Sequence, residues 1–386
     1  MLTGLDALSA GGVAAAVTAA LTPVSARIAQ RVGAIDEPRD RGLADRPTPR
    51  LGGLAICAGV LTAGLIWLPF HEPLKAVLAA AAFITLMGAL DDLFDLPPLV
   101  KLVGQGFAAW MVAYEGARVD NFTLPFIHRV DLSKPVAEIA TVIGLVLIMN
   151  AVNLSDGVDG LAGGVCAIAA ASFAIIAFDI PVLTAPLAPA AGVIAAIVAG
   201  AAIGFLVWNF APARVFMGDS GSNLLGLLLG CVAVLGTVKT SALIGLIAPL
   251  VILAVPFLDT TFVVLKRMKY RRPVYRADAN HFHHRFSRIG FSPRRTVAYL
   301  YAWTMVLAGA ALALRFVPYT DHHGHFRAGW SAVMGAILLL AIAASVYLVY
   351  LLEILKLRRR FRRESEEELV ARLETGEFEA VGPPQP

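Results

Sequence analysis

Long apolar runs separated by short polar breaks fill the chain almost from end to end. The runs lie at Leu8–Ile28, Leu54–Phe70, Ala76–Leu90, Leu99–Tyr114, Val136–Met149, Leu161–Phe178, Pro186–Trp208, Asn223–Val238, Leu243–Leu265, Val297–Phe316 and Trp330–Leu355. Most hold about 16–25 residues, enough at 1.5 Å per residue to cross roughly 30 Å of hydrocarbon. The pattern predicts an all-α integral membrane protein of about 11 transmembrane helices. The first run has no basic segment before it and no small-residue cleavage site after it, so it reads as a retained anchor.

The placement of Lys and Arg sets the orientation. With the N-terminus outside, the segments 31–51, 91–98, 150–160, 209–219 and 266–296 and the tail after 355 face the cytoplasm. About 25 of the 32 Lys and Arg residues then lie in or beside those segments, as the positive-inside rule requires. The C-terminus is cytoplasmic on the same reading. Composition agrees with a bilayer solvent: 58% of the 386 residues are hydrophobic and 16% charged, where a soluble domain has about half and a quarter. The net charge of +4 is mild, and nothing in it points to nucleic acid. Its local concentrations, Lys266–Arg276 and Lys356–Arg363, suit anionic lipid headgroups beside a span. Residues 1–355 read as one membrane domain and 356–386 as a charged cytoplasmic tail ending in a Pro-rich stub. Cys57, Cys166 and Cys231 fall inside apolar runs without metal-site spacing and read as small packing residues.

Four polar breaks carry the chemistry. A carboxylate at membrane depth costs at least about 2.5–3.5 kcal/mol, so acids gathered between spans have work to do. Asp91, Asp92 and Asp95 close the third run before Pro97 and Pro98, and the spacing puts Asp91 and Asp95 on one helical face. Negative charge at a helix C-terminus opposes the macrodipole, so a cation should lie nearby. Lys101 is the nearest basic residue in sequence. In the second break, Asn150, Asn153, Asp156 and Asp159 form an i+3 series of hard oxygen ligands suited to Mg2+. Capping of the following span is the plainer role for Asp156 or Asp159. In the third, Asp219 stands between glycines at the start of the eighth run. It either caps that helix or joins the helix N-terminus in binding a metal diphosphate. No P-loop pattern is present. The fourth break holds His281, His283, His284 and Arg285 within a basic loop. Cysteine partners and the HExxH pattern are missing, which argues against zinc, whereas Arg and His together suit an anionic diphosphate.

In order along the chain, DDLFD, KLVGQ, NAVNLSDGVDGL, FMGDSGS and NHFHHR resemble the polyprenyl-phosphate N-acetylhexosamine-1-phosphate transferases over about Asp36 to Arg295. The resemblance implies transfer of a sugar 1-phosphate, most simply GlcNAc-1-phosphate, from a UDP-sugar to undecaprenyl phosphate with release of UMP, initiating cell-envelope polysaccharide synthesis. It further implies Mg2+, replaceable by Mn2+, on Asn153 and Asp219, and Asp91 and Asp92 as the carboxylates that deprotonate or orient the lipid phosphate. Asp95 and Lys101 would serve the substrate, with Lys101 on phosphate. Asp156 and Asp159 would line the nucleotide side, and His281, His283, His284 and Arg285 would hold diphosphate and sugar. The HxHHR form favours a GlcNAc-type donor over the phospho-MurNAc-pentapeptide transferases, which tend toward three consecutive histidines. Gly42 and Ala44 stand where relatives often carry Lys and His, so phosphate contacts there are lost or replaced. Pro249 and Pro256 should kink the ninth run and open an apolar groove for the polyprenyl tail, with Asp259 at its cytoplasmic end. Membrane lipids are expected partners, and a homodimer is left open. A secondary transporter is the competing class, and it would hold its acids near the bilayer midplane in broken helices.

Overall fold

A computed structural model describes residues 2–37, 47–124, 127–183, 185–237, 251–254, 257–258, 291–318 and 327–347. Ten helices organise them: α1 (Gly4–Val32), α2 (Gly52–Trp67), α3 (Leu74–Phe94), α4 (Pro98–Tyr114), α5 (Lys134–Ser155), α6 (Leu161–Asp179), α7 (Ala188–Asn209), α8 (Gly218–Val232), α9 (Pro293–Phe316) and α10 (Ala328–Tyr347). Eight helical segments are long and apolar enough to span a bilayer. Helices α2, with 16 residues, and α4, with 17, fall below that length. The ninth apolar run, with Pro249, Pro256 and Asp259, lies almost wholly outside the described residues, as does the tail from 348 onward. The expected count of 11 therefore stands at ten helices among the described residues.

Two small antiparallel sheets qualify the all-α expectation. One pairs β1 (Ile35–Asp36) with β2 (Thr48–Pro49), and the other pairs β3 (Asn121–Leu124) with β4 (Ile127–Asp131) in the connection between α4 and α5. The first sheet bears on the site. Phe216 N donates to Pro49 O at 2.8 Å, while Gly52 N and Gly53 N donate to Phe216 O and Met217 O at 3.0 and 2.9 Å. The start of α2 is thus laced to the segment that leads into α8.

Helix α7 is apolar on all sides, α8 is apolar beyond its polar first turns, and both are buried almost throughout, as expected for central helices. Large side chains at the centre include Phe173, Phe205, Ile197 and Met149. Helix α1 runs parallel to α7 at backbone contact: a Cβ on Gly200 would lie 2.0 Å from Gly11 O, and one on Gly204 would lie 2.2 Å from Ala15 O. Small residues spaced by four allow this approach, a common device where both helices already sit in an apolar solvent. Trp208 Nε1 closes the seam by donating to Ala19 O at 2.8 Å. Outward-facing Leu65, Ile66, Leu86, Phe107, Ile139 and Ile143 are exposed in the chain by itself, as lipid-facing positions should be. The three cysteines are free and buried.

Candidate active site

The end of α3, the start of α4, the end of α5 and the start of α8 meet at one end of the bundle. Helix α3 stops because Leu96-Pro97-Pro98 follows it: a residue before proline is pushed out of the helical region. Asp95 takes the left-handed conformation (φ 47°) as its C-cap. This corrects the expectation that Asp91 and Asp95 share a face. The Asp95 side chain is 82% exposed and lies 4.0 Å from the Arg50 guanidinium, apart from the other two acids. Asp91 and Asp92 are both buried.

The two buried carboxylates have different partners. Asp91 Oδ1 accepts from Leu96 N at 2.8 Å, and its Oδ2 is ion-paired with Lys101 Nζ on α4. The cation that the acidic triplet demanded is therefore Lys101, which also lies 3.4 Å from Asp219 Oδ2. Asp92 turns to the N-terminus of α8. Its Oδ1 accepts from Asp219 N at 2.8 Å, and its Oδ2 accepts from Ser220 N at 3.2 Å and Ser220 Oγ at 2.8 Å. A capping residue normally precedes its own helix; here the cap is supplied across the bundle, and the local N-cap, Met217, offers no side-chain bond. Asp219 is thus freed from the capping role that its position suggested.

Close packing makes this arrangement accessible. A Cβ on Gly88 of α3 would lie 2.4 Å from Ser220 N. Gly218 has φ of +70°, and a Cβ there would lie 2.3 Å from Asp92 Oδ2. Only glycine admits the carboxylate to the helix start.

From α5, Asn153 Nδ2 donates to Asp219 Oδ1 and to Ser222 Oγ, both at 2.9 Å. Helix α5 continues to Ser155, so Asn150 and Asn153 belong to its last turns. Asn150 reaches a different partner, Gln105 Oε1, at 2.7 Å. The i+3 series therefore divides. Asp156 is the C-cap of α5, and Asp159 Oδ2 accepts from Ala213 N at 2.7 Å. Neither acid caps α6, whose N-cap is Gly160 with φ of 79°. The half-buried Asp156 carboxyl is pushed up to about 7, first by loss of water and then by the charges of Asp219, Asp92 and Asp159.

A small pocket opens among α3, α4 and α8. Asp91, Lys101 and Asp219 form its polar side; Ile84, Met87 and Leu96 form its apolar side. For a hard divalent cation, the Asp219 carboxylate and the amide oxygen of Asn153 are chemically suitable, the Asn153 nitrogen being already engaged. No group of three or more His, Cys, Asp or Glu side chains converges for a metal among the described residues. A site of two protein oxygens completed by substrate and water is the usual Mg2+ arrangement, so the residues fit. His281, His283, His284 and Arg285 lie outside the described residues.

Sequence reasoning passed over Ser220, Gln105 and Asn223. The last two were within reach, because Gln105 stands four residues after Lys101 and Asn223 four after Asp219, each on the face of a residue already singled out.

Apolar helices and a polar cluster confined to terminal helical turns define a multi-pass membrane protein whose chemistry sits at one end of the bundle. The acids do not occupy the mid-helix breaks that a transporter would require. Residues 74–237 match the glycosyl transferase family 4 profile. Over 300 residues the chain is 35% identical to a probable undecaprenyl-phosphate N-acetylglucosaminyl 1-phosphate transferase of Bacillus subtilis, covering 76% of this chain and 81% of that protein. It is 33% identical over 368 residues to a decaprenyl-phosphate N-acetylglucosaminephosphotransferase of Mycobacterium leprae, covering 88% and 89%. A phospho-N-acetylmuramoyl-pentapeptide-transferase of Mycobacterium avium is 31% identical over 375 residues, covering 85% and 99%. The chain belongs to glycosyl transferase family 4, in the branch of polyprenyl-phosphate N-acetylhexosamine-1-phosphate transferases.

Proposed function

We propose that the protein transfers GlcNAc-1-phosphate from UDP-GlcNAc to undecaprenyl phosphate, or a similar polyprenyl phosphate, on the cytoplasmic face of the inner membrane. The product is a polyprenyl-diphosphate sugar that starts a cell-envelope polysaccharide. The observation that carries the reading is the convergence of Asp91, Lys101, Asn153 and Asp219 beside a cavity that is polar on one side and apolar on the other. The cytoplasmic assignment rests on the distribution of Lys and Arg.

The lipid phosphate enters that cavity with its headgroup against Lys101 and its tail along Ile84 and Met87. Lys101 holds the phosphate, while Asp91 orients it or takes its proton. A phosphate oxygen attacks the sugar-linked phosphorus of the donor, forming one P–O bond as the bond to UMP breaks and UMP departs with the electron pair. Asp219 and Asn153 would hold Mg2+, which when bound neutralises diphosphate charge. Catalysis is then mostly positioning and charge stabilisation. Asp92 acts through α8 by fixing Asp219. Asp156 and Asp159 border the nucleotide, and His281, His283, His284 and Arg285 clamp the diphosphate and sugar.

The direct test gives purified protein UDP-GlcNAc, undecaprenyl phosphate and Mg2+ and measures UMP. Turnover is expected to need Mg2+ or Mn2+ and to vanish in Asp219→Asn, with insertion and folding retained. Alanine at His281, His283 or Arg285 should raise KM for the donor by about 10-fold or more per lost charge-assisted bond. Near-normal Asp219→Asn activity in excess EDTA would refute the metal assignment, and absence of UMP from the wild type would refute the reaction.

A further inference from the structure

Beneath the cluster runs a line of amides that the chemistry above does not use. Gln105 sits on α4 one turn from Lys101 and is 5% exposed; Asn223 on α8 is equally buried. Asn150 Nδ2 donates to Gln105 Oε1 at 2.7 Å, and Gln105 Nε2 donates to Asn223 Oδ1 at 2.8 Å. Asn223 Nδ2 then donates to the Asp219 carbonyl at 2.9 Å. Asn150 Nδ2 also donates to Val146 O at 2.8 Å, which anchors the far end to α5. The three links Asn150–Gln105, Gln105–Asn223 and Asn223–Asp219 all run in one direction, so the amides form one polarised chain from α5 through α4 to the backbone of Asp219. Gln105 and Asn223 also border the cavity that holds Lys101.

We infer that Gln105 is a positioning residue for the transfer reaction: by bridging Asn150 and Asn223 it fixes the spacing between Lys101 on α4 and Asp219 on α8. The inference rests on the proposed reaction. The geometry behind it is specific. Lys101 spans Asp91 and Asp219 from α4, whereas Asn153 meets Asp219 from α5. The approaches of Lys101 and Asn153 to Asp219 depend on α4, α5 and α8 keeping register, and the Gln105 side chain is bonded to both α5 and α8. A displacement of about 1 Å between reacting groups lowers a rate by roughly 100-fold. Loss of Gln105 should therefore act on turnover more than on donor binding.

Two variants test this. Gln105→Leu keeps the volume and removes both bonds; its kcat should fall about 10- to 100-fold, with donor KM within about 2-fold of wild type. The double variant Gln105→Leu/Asn223→Leu should be little worse than either single one, since both break one chain. In Gln105→Glu, a protonated carboxyl reproduces the amide's pattern of one acceptor and one donor, while a carboxylate cannot donate to Asn223. Activity of Gln105→Glu relative to wild type should rise about 10-fold from pH 8 to pH 6. The titratable groups facing this position are Asp91 on α3, Lys101 on α4 and Asp219 on α8. All three are present in the wild type, whose own profile is the reference for the ratio.

The melting temperature of Gln105→Glu, measured over the same pH range against wild type, reads the chain without substrate and should rise as pH falls. That result with no wild-type turnover of UDP-GlcNAc would dismiss the proposed reaction and leave the amide chain standing. A flat relative pH profile for both activity and melting would overturn the inference. So would a Gln105→Leu enzyme that melts early but turns over normally per folded molecule, or a donor KM that rises as much as kcat falls. Should Gln105→Leu fail to fold, the Gln105→Glu profiles decide alone.

Discussion

Removing the Asp92 carboxylate should loosen the start of α8 before it does anything else. Its two oxygens receive three hydrogen bonds, from Asp219 N, Ser220 N and Ser220 Oγ, at 2.8, 3.2 and 2.8 Å. Loss of an ordinary N-cap costs about 0.5–2 kcal/mol, and a hydrogen bond to a charged group is worth about 1.5–3 kcal/mol. The three bonds share one acceptor group and do not add, so Asp92→Ala should cost about 3 kcal/mol. In a chain of 386 residues that lowers the melting temperature by roughly 4 °C. Asp92→Asn keeps one acceptor oxygen but turns an amide donor toward Ser220, so about half of the loss should remain. The assay is thermal unfolding in detergent, paired with hydrogen exchange over residues 218–224. Faster exchange confined to that first turn is expected in both variants. Wild-type melting and exchange in Asp92→Ala would refute the reasoning. An Asp92→Asn enzyme that is inactive yet unchanged in melting and exchange would show that Asp92 acts on substrate directly.

Two further outcomes follow from neighbouring features. Gly88→Ala drives a Cβ against Ser220 backbone that cannot step aside; it should cost about 1–3 kcal/mol and lower activity further than stability, as read by comparing melting with turnover per folded enzyme. Asp156, pushed up to about 7 by burial and neighbouring charge, binds more protons folded than unfolded between its ordinary value and 7. Stability should therefore fall as pH rises through that window, and Asp156→Asn should flatten this part of a pH–melting profile. A variant whose profile parallels wild type would contradict the assignment.

How far the site was legible depends on where the helices end. Asp91, Asn153 and Asp219 stood out in the sequence as polar groups at the ends of apolar runs, with capping the alternative for Asp219, and they do meet in one cluster. The demand for a cation beside Asp91 was also readable, and Lys101 meets it. Asp95 was misplaced because an i+4 rule presumes an unbroken helix, whereas the left-handed turn before Pro97 sends its side chain outward. Asp92 was read beside Asp91 as a carboxylate for the lipid phosphate, and its hold on α8 went unread: those partners lie 127 and 128 residues away, and no local pattern announces a cap supplied by another helix. The pairing of β3 with β4 went unread, since its short segments lie between apolar runs that dominate the pattern.

The shortness of α4 has an effect on the surrounding bilayer. Its 17 residues reach about 25 Å, some 5 Å less than a typical hydrocarbon core. Its outward face carries Leu99, Leu102, Val103, Phe107, Trp110 and Tyr114, so acyl chains meet it directly. A short apolar helix draws the adjacent membrane thinner, at a fraction of a kcal/mol per ångström. Where thinning is the response, headgroups beside α4 should sit nearer the level of Lys101, which stands within its first turn. On the proposed reaction a lipid phosphate would then have less far to descend, and membrane thickness becomes a variable that reaches the site without any ligand.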